Sequence, residues 1–101
     1  MSQRKIRLAP VHPGEILRED FMAPLGLSIN ALGRALRVPV NHVSGIVNEK
    51  RGIGATMALR LARYFATSAE LWLDVQQDYE LDVARDTAAA QIEREVLPRA
   101  S

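Results

Sequence analysis

The stretch that most constrains the fold is LSINALGRALRVPVNHVSGIVNEKR, residues 27–51, in which two short amphipathic helical patterns are separated by a turn and a proline. Neither helix is long enough to stand alone in water, so each must bury its apolar face against the other and against a surrounding core. Ser28 can N-cap the first, in which Ile29, Leu32 and Leu36 recur at helical intervals over 29–36. Gly33 removes bulk where a second helix has to approach. Arg37 and Val38 form the turn, and Pro39, tolerated only at a helix start, opens the second pattern with Val43, Ile46 and Val47 facing inward. The opposite face carries Val40, Asn41, Ser44 and Gly45, with His42 at its margin and no carboxylate. Such a face can lie against phosphate and read base edges, so the pair implies a helix-turn-helix that binds double-stranded DNA.

Charge supports that reading. Residues 1–63 hold ten Lys and Arg against four Asp and Glu, a net +6, whereas residues 64–101 hold three against eight, a net −5. The formal net charge of +1 therefore hides two halves of opposite sign, and the basic half contains the helix pair.

The flanks complete an all-α domain. Residues 1–11 read as a basic arm with Arg4, Lys5 and Arg7, either a solvated tail or a segment reaching a neighbouring groove. His12, Pro13, Gly14 and Glu15 read as a helix start, Ile16, Leu17 and Phe21 as its apolar face, and Pro24 with Gly26 as its stop. Beyond Gly52 and Gly54 a helix is expected over 55–66 with Ala58, Leu61, Ala62 and Phe65 as its buried stripe. Thr67 or Ser68 caps the next, which carries Trp72, Val75 and Tyr79. The DNA-binding domain thus spans 12–80. Residues 81–101 form a helical or partly disordered extension whose thin stripe of Ile92, Val96 and Leu97, ended by Pro98, needs the domain body, a second subunit or another protein to pack on.

Catalytic chemistry finds little support. There is no cysteine, His12 and His42 lie in different elements without a second ligand at metal spacing, and no phosphate-binding glycine loop or nucleophile elbow is present. The carboxylates Glu15, Glu19 and Asp20 read as a solvated face. The chain is expected to be no enzyme and to use no cofactor, metal or small-molecule substrate. With 48% hydrophobic residues, no apolar run of membrane-spanning length and no signal peptide, it is expected to be a folded cytoplasmic protein without a membrane partner.

A family resemblance rests on His12, Pro13, Gly14, Glu15, Leu17, Glu19, Phe21, Pro24, Gly26, Leu27 and Ser28, continues through Leu32, Leu36, Val38, Pro39, Asn41, Ser44, Ile46 and Asn48, and ends with Ala58, Leu59, Arg60, Leu61 and the 68–73 segment containing Trp72. Over residues 11–79 the chain resembles the HigA family of toxin-antitoxin antidote proteins, small members of the Xre and Cro-like (lambda-repressor-like) helix-turn-helix class. The resemblance implies a five-helix core with the C-terminal segment added, homodimerisation, repression at an inverted-repeat operator in its own promoter, and neutralisation of a cognate HigB/RelE-type ribonuclease toxin. It places Val40, Asn41, Ser44 and Gly45 against bases, with Asn41 suited to adenine, His42 against a base edge or a phosphate, and Ser28, Asn30, Arg34, Asn48, Lys50 and Arg51 on backbone phosphates. Three positions depart from the family pattern: Arg37 where the turn often has Gly, Glu49 in the usual Asn-Gly-Lys/Arg sequence, and Gly54 where Thr or Ser commonly caps the fourth helix. Two other readings stay open, a stand-alone Xre-type repressor without a toxin and a protein-interaction module that does not bind DNA. The dimer surface stays open between helix five and the C-terminal segment.

Overall fold

The computed structural model describes residues 9–100, so the basic residues of the arm at Arg4, Lys5 and Arg7 lie outside it. The described residues form five helices. The first, α1, is a single rod of three stretches, α-helical over Pro13–Ile16, a wider π-turn over Leu17–Met22 and α-helical again over Ala23–Leu25. Next come α2 (Ile29–Leu36), α3 (Val40–Val47), α4 (Ala55–Phe65) and α5 (Ala69–Glu95).

Local chemistry explains most of the boundaries. The α1 rod starts at a histidine cap: Nδ1 of His12 accepts from the amide of Gly14 at 2.8 Å, and Pro13 takes the first helical position, where no amide is needed. Pro24 does not help stop the rod, contrary to the reading of Pro24 and Gly26 as a joint stop. The backbone widens ahead of it, with the amide of Ala23 bonding five residues back to Arg18, which relieves the crowding a proline ring imposes on the carbonyl one turn earlier. Gly26 alone ends the rod, in the left-handed conformation at φ 61°, with the amide of Leu27 closing on the carbonyl of Met22 at 3.0 Å.

Ser28 caps α2 through its hydroxyl, which accepts from the amide of Ala31 at 3.0 Å. Pro39 sits one position earlier than expected, as the extended cap residue at ψ 144° outside α3, and its carbonyl accepts from His42. Ser68 caps α5, and the neighbouring Thr67 hydroxyl accepts from the indole N–H of Trp72 at 2.9 Å, so both candidate cap residues are used, for different purposes. The chain reverses after α4 at Ala66, a non-glycine residue at φ 58° that nothing in the local pattern announces.

The core lies where the helices converge. Leu17, Leu32, Ile46, Leu61 and Trp72 are fully buried, joined by Val43, Val47, Met57 and Ala58. Trp72 leans on Phe21 at 4.8 Å between ring centroids, and Phe21 on Phe65 at 5.0 Å, so three helices share one aromatic cluster. Within α4 the most buried residues are Met57, Ala58 and Leu61; Ala62 and Phe65 close the rim.

The last helix differs from expectation in extent. It runs unbroken through residue 80, so residues 81–95 continue helix five, and it stops at Glu95, with Val96 already extended two residues before Pro98. At 1.5 Å per residue this helix is about 40 Å long, and it gives the molecule its 53 Å long axis against 27 and 23 Å in the other directions.

Candidate nucleic-acid interface

The outer face of α3 is built by the burial of its inner one. Val43 and Ile46 are almost wholly covered, so helical geometry turns Asn41 outward and leaves His42, Ser44 and Gly45 half-exposed. Val40 is 41% exposed, an apolar side chain at the leading end of a polar face. The close approach expected at Gly33 is present: a Cβ there would stand 3.4 Å from Cγ2 of Val40 and 3.3 Å from the carbonyl of Val38. Asn30 and Arg34 share the exposed face of α2, one turn apart. Ser28 is exposed at that helix's N-terminus, with its hydroxyl used as the cap.

Two of the sequence-selected residues are joined. The amide of Asn48 donates to the Ser44 hydroxyl at 3.1 Å, linking the end of α3 to its outer face. Gly45 is less open than its place on the face suggests, because the Arg51 side chain folds over it; a Cβ would fall 2.7 Å from Cδ of Arg51. The backbone closes the same turn, with the amides of Lys50 and Arg51 both donating to the carbonyl of Gly45. This packing brings the Arg51 guanidinium near His42, whose pKa is lowered by burial and then by that positive charge. Both effects favour the neutral imidazole, which can donate at one ring nitrogen and accept at the other.

Besides its packing on α2, α3 is held at its C-terminal end by α1. Gly14 lies so close to the end of α3 that an added Cβ would stand 1.8 Å from the carbonyl oxygen of Ile46. Arg18 reaches the same end: Nη1 donates to the carbonyl of Val47 at 2.6 Å, and Nη2 lies 3.5 Å from the Glu49 carboxylate. Sequence reasoning assigned no role to Arg18, since nothing local marks an arginine whose partner is 29 residues away. It read Gly14 only as part of a helix start.

His12 belongs to this junction too. It is 4% exposed, stands edge-on to Tyr79 at 4.8 Å, and has its pKa lowered by burial, partly offset by Glu49. Protonating Nδ1 would destroy the cap on Gly14. Because the native state binds this proton less readily than the unfolded chain, its contribution to stability is complete above the ordinary value of 6.5 and is lost as pH falls below it. His42 shifts in the same direction. Urea unfolding should therefore show a loss between pH 7.5 and pH 5.5 with a limit of about 1.4 kcal/mol per pH unit for one group. In His12→Asn, which keeps an acceptor, the slope should flatten; an unchanged slope would remove His12 as its cause.

The comparisons with known proteins agree with this geometry. A family model described as helix-turn-helix matches residues 17–72. Virulence-associated protein I of Dichelobacter nodosus is 49% identical over 80 residues, 79% of this chain and 74% of that protein. Antitoxin HigA-1 of Vibrio cholerae is 35% identical over 78 residues, 77% of this chain and 73% of its own length. The chain belongs to the helix-turn-helix family, in its HigA branch. Among solved structures, a Pseudomonas aeruginosa antitoxin HigA with the higBA promoter superposes with a TM-score of 0.87 at 48% identity, covering 90% of this chain and 99% of that one.

For a HigA chain the three departures are each accommodated. Arg37 takes the left-handed turn conformation at φ 62°, which costs an L-residue about 1 to 2 kcal/mol relative to glycine. Glu49 is also left-handed, at φ 61°, and its carboxylate is drawn back to Arg18. Gly54 caps α4 with backbone alone and no side-chain bond.

Proposed function

We propose that this protein is a DNA-binding antitoxin that represses its own operon and neutralises a ribosome-dependent HigB/RelE-type ribonuclease, acting in the cytoplasm as a homodimer and by binding alone. The observation that carries the reading is the outer face of α3: polar, free of carboxylates, and flanked by a Glu49 already paired with Arg18, in a chain that matches a promoter-bound HigA along nearly its whole length. On this reading Asn41 hydrogen-bonds a base edge in the major groove, Val40 meets a thymine methyl, and His42 and Ser44 flank them. Gly45 lets Arg51 pass over the helix to a phosphate. The N-terminus of α2 at Ser28, with Asn30, Arg34, Asn48, Lys50 and Arg51, lies along the backbone.

Toxin neutralisation has separate support in the charge split. All eight acidic residues of the C-terminal half lie within α5, which is a suitable electrostatic partner for a basic, RNA-cleaving protein.

The test is a mobility shift on the DNA upstream of the gene and on random duplex, each at two salt concentrations. Asn41→Ala should lose about 1 to 3 kcal/mol on the specific site, with relaxed preference at one base step and little change on random DNA. Arg34→Ala should weaken both duplexes alike and reduce the salt slope by about one charge. Equal losses for the two variants on both duplexes would end this division of labour, and no specific shift by the unaltered protein would leave the protein-interaction reading in its place.

A further inference from the structure

Between the end of α2 and the outer side of α4 lies a groove of about 550 Å³ whose walls include Leu36, Arg37, Leu59, Arg60, Arg63 and Tyr64. None of its lining residues comes from α3, none is among those set against DNA above, and none is a carboxylate. Leu59 is 63% exposed and Tyr64 44%, so two large apolar side chains of α4 face water beside three arginines. Apolar groups gathered within an arginine cluster have the composition of a binding surface rather than of a solvated face.

We propose that this groove docks an acidic, amphipathic helical segment of a partner protein, whose apolar side chains cover Leu59 and Tyr64 while its carboxylates meet Arg37, Arg60 and Arg63. The site goes beyond the DNA-binding surface, and neither depends on the other.

Shape, rigidity and charge each select that occupant. Thr56, Leu59, Arg60 and Arg63 fall at i, i+3, i+4 and i+7, one face of α4 that is two turns or about 10 Å long. A face of this kind takes a short helix laid along it and anchored by side chains at the same spacing. The walls are already held in place. Nη1 of Arg60 donates to the carbonyl of Leu36 at 2.8 Å, which ties α4 to the last residue of α2 and fixes the guanidinium at the rim. The ring of Tyr64 stands edge-on to Phe65 at 4.9 Å, and Phe65 packs on Phe21. Little ordering is left for the partner to impose.

Three guanidinium groups without a lining carboxylate repel a basic occupant, which excludes residues 1–11 of this chain with their Arg4, Lys5 and Arg7. The groove is thus opposite in sign to α5, the element set above against a basic ribonuclease. A DNA backbone would satisfy the arginines and leave Leu59 and Tyr64 against phosphate, where apolar surface gains nothing. An acidic amphipathic helix matches both kinds of group at once.

Fluorescence anisotropy with the full chain tests the site. The probe is a labelled, end-blocked helical peptide of about 15 residues, long enough to hold some helix alone, with leucines on one face and glutamates flanking them; its counterpart carries lysines instead. The glutamate peptide should bind with a dissociation constant below about 1 mM, as a small contact does, and the lysine peptide should not. Leu59→Ser and Arg63→Glu should each weaken the glutamate peptide at least about tenfold, the loss of one anchor or one charge pair. Both side chains are exposed, so thermal melting should stay close to the parent's and the shift on upstream DNA should be preserved. Equal binding of the two peptides, no binding below 1 mM, or indifference to Leu59→Ser would each overturn the proposal. Loss of affinity for random duplex on Arg63→Glu would give the groove to DNA, and a change of sedimentation on Leu59→Ser would give it to a second copy; either also overturns it. Peptide binding intact in a protein that shifts no DNA would instead count against the function above and leave the docking site standing.

Discussion

Gly14→Ala should destabilise the domain by about 3 kcal/mol, at the upper end of the cost of overpacking, and should weaken specific DNA binding further than the lost stability explains. An alanine Cβ would stand 1.8 Å from the carbonyl oxygen of Ile46, and both partners are backbone, which cannot swing aside as a side chain can. The strain must therefore move α1 away from α3, taking with it the contact of Arg18 with Val47 and the pairing with Glu49. Gly54→Ala is the steric control: nothing stands within 4 Å of its Cβ and its φ of −92° suits any residue, so it should cost no more than about 1 kcal/mol, the preference of an N-cap for glycine over alanine. Chemical denaturation of the two variants gives the comparison. Gly14→Ala within 0.5 kcal/mol of the parent, taken as roughly the scatter of surface substitutions, would show that the α1–α3 junction yields easily.

Trp72→Ala is expected to cost about 4 kcal/mol, within the range for emptying a buried aromatic site. Trp72 is fully buried and packs on Phe21, and its loss leaves the Thr67 hydroxyl without the indole N–H. Against a total stability of about 5 to 15 kcal/mol for a domain of this size, such a loss should leave a measurable unfolded fraction at 37 °C. Trp72→Phe should fall between parent and Ala, since a smaller ring keeps part of the packing and none of the hydrogen bond. A change below about 1 kcal/mol on Trp72→Ala, read from urea midpoints, would mean that α5 does not close the core.

Both predictions bear on how the outer face of α3 is held. Asn41 and Val40 are displayed by α3, but the orientation of α3 is set from behind by Gly14 and Arg18 and from the side by Val40 on Gly33. The pairing of Arg18 with Glu49 also explains how a carboxylate can follow the helix without spoiling its face. Arg18 is a positioning residue; its guanidinium is occupied by Val47, Glu19 and Glu49.

The amino-acid sequence by itself determined the features whose causes are local. Ser28 and Ser68 as caps, the inward Val43 and Ile46, and the limits of α2 follow from contacts within about four residues, which periodicity and capping chemistry record directly. The carboxylate-free face of α3 was legible for the same reason. Tertiary structure alone decided the rest. That Gly14 must be glycine depends on Ile46, that Arg18 is part of the site depends on Val47, and that Arg51 covers Gly45 depends on the path of a loop; none leaves a periodic trace. The extent of α5 was likewise not local: composition changes near residue 81 and suggested a boundary, but no backbone signal breaks the hydrogen-bond ladder there, so the helix continues and carries its apolar stripe clear of the core.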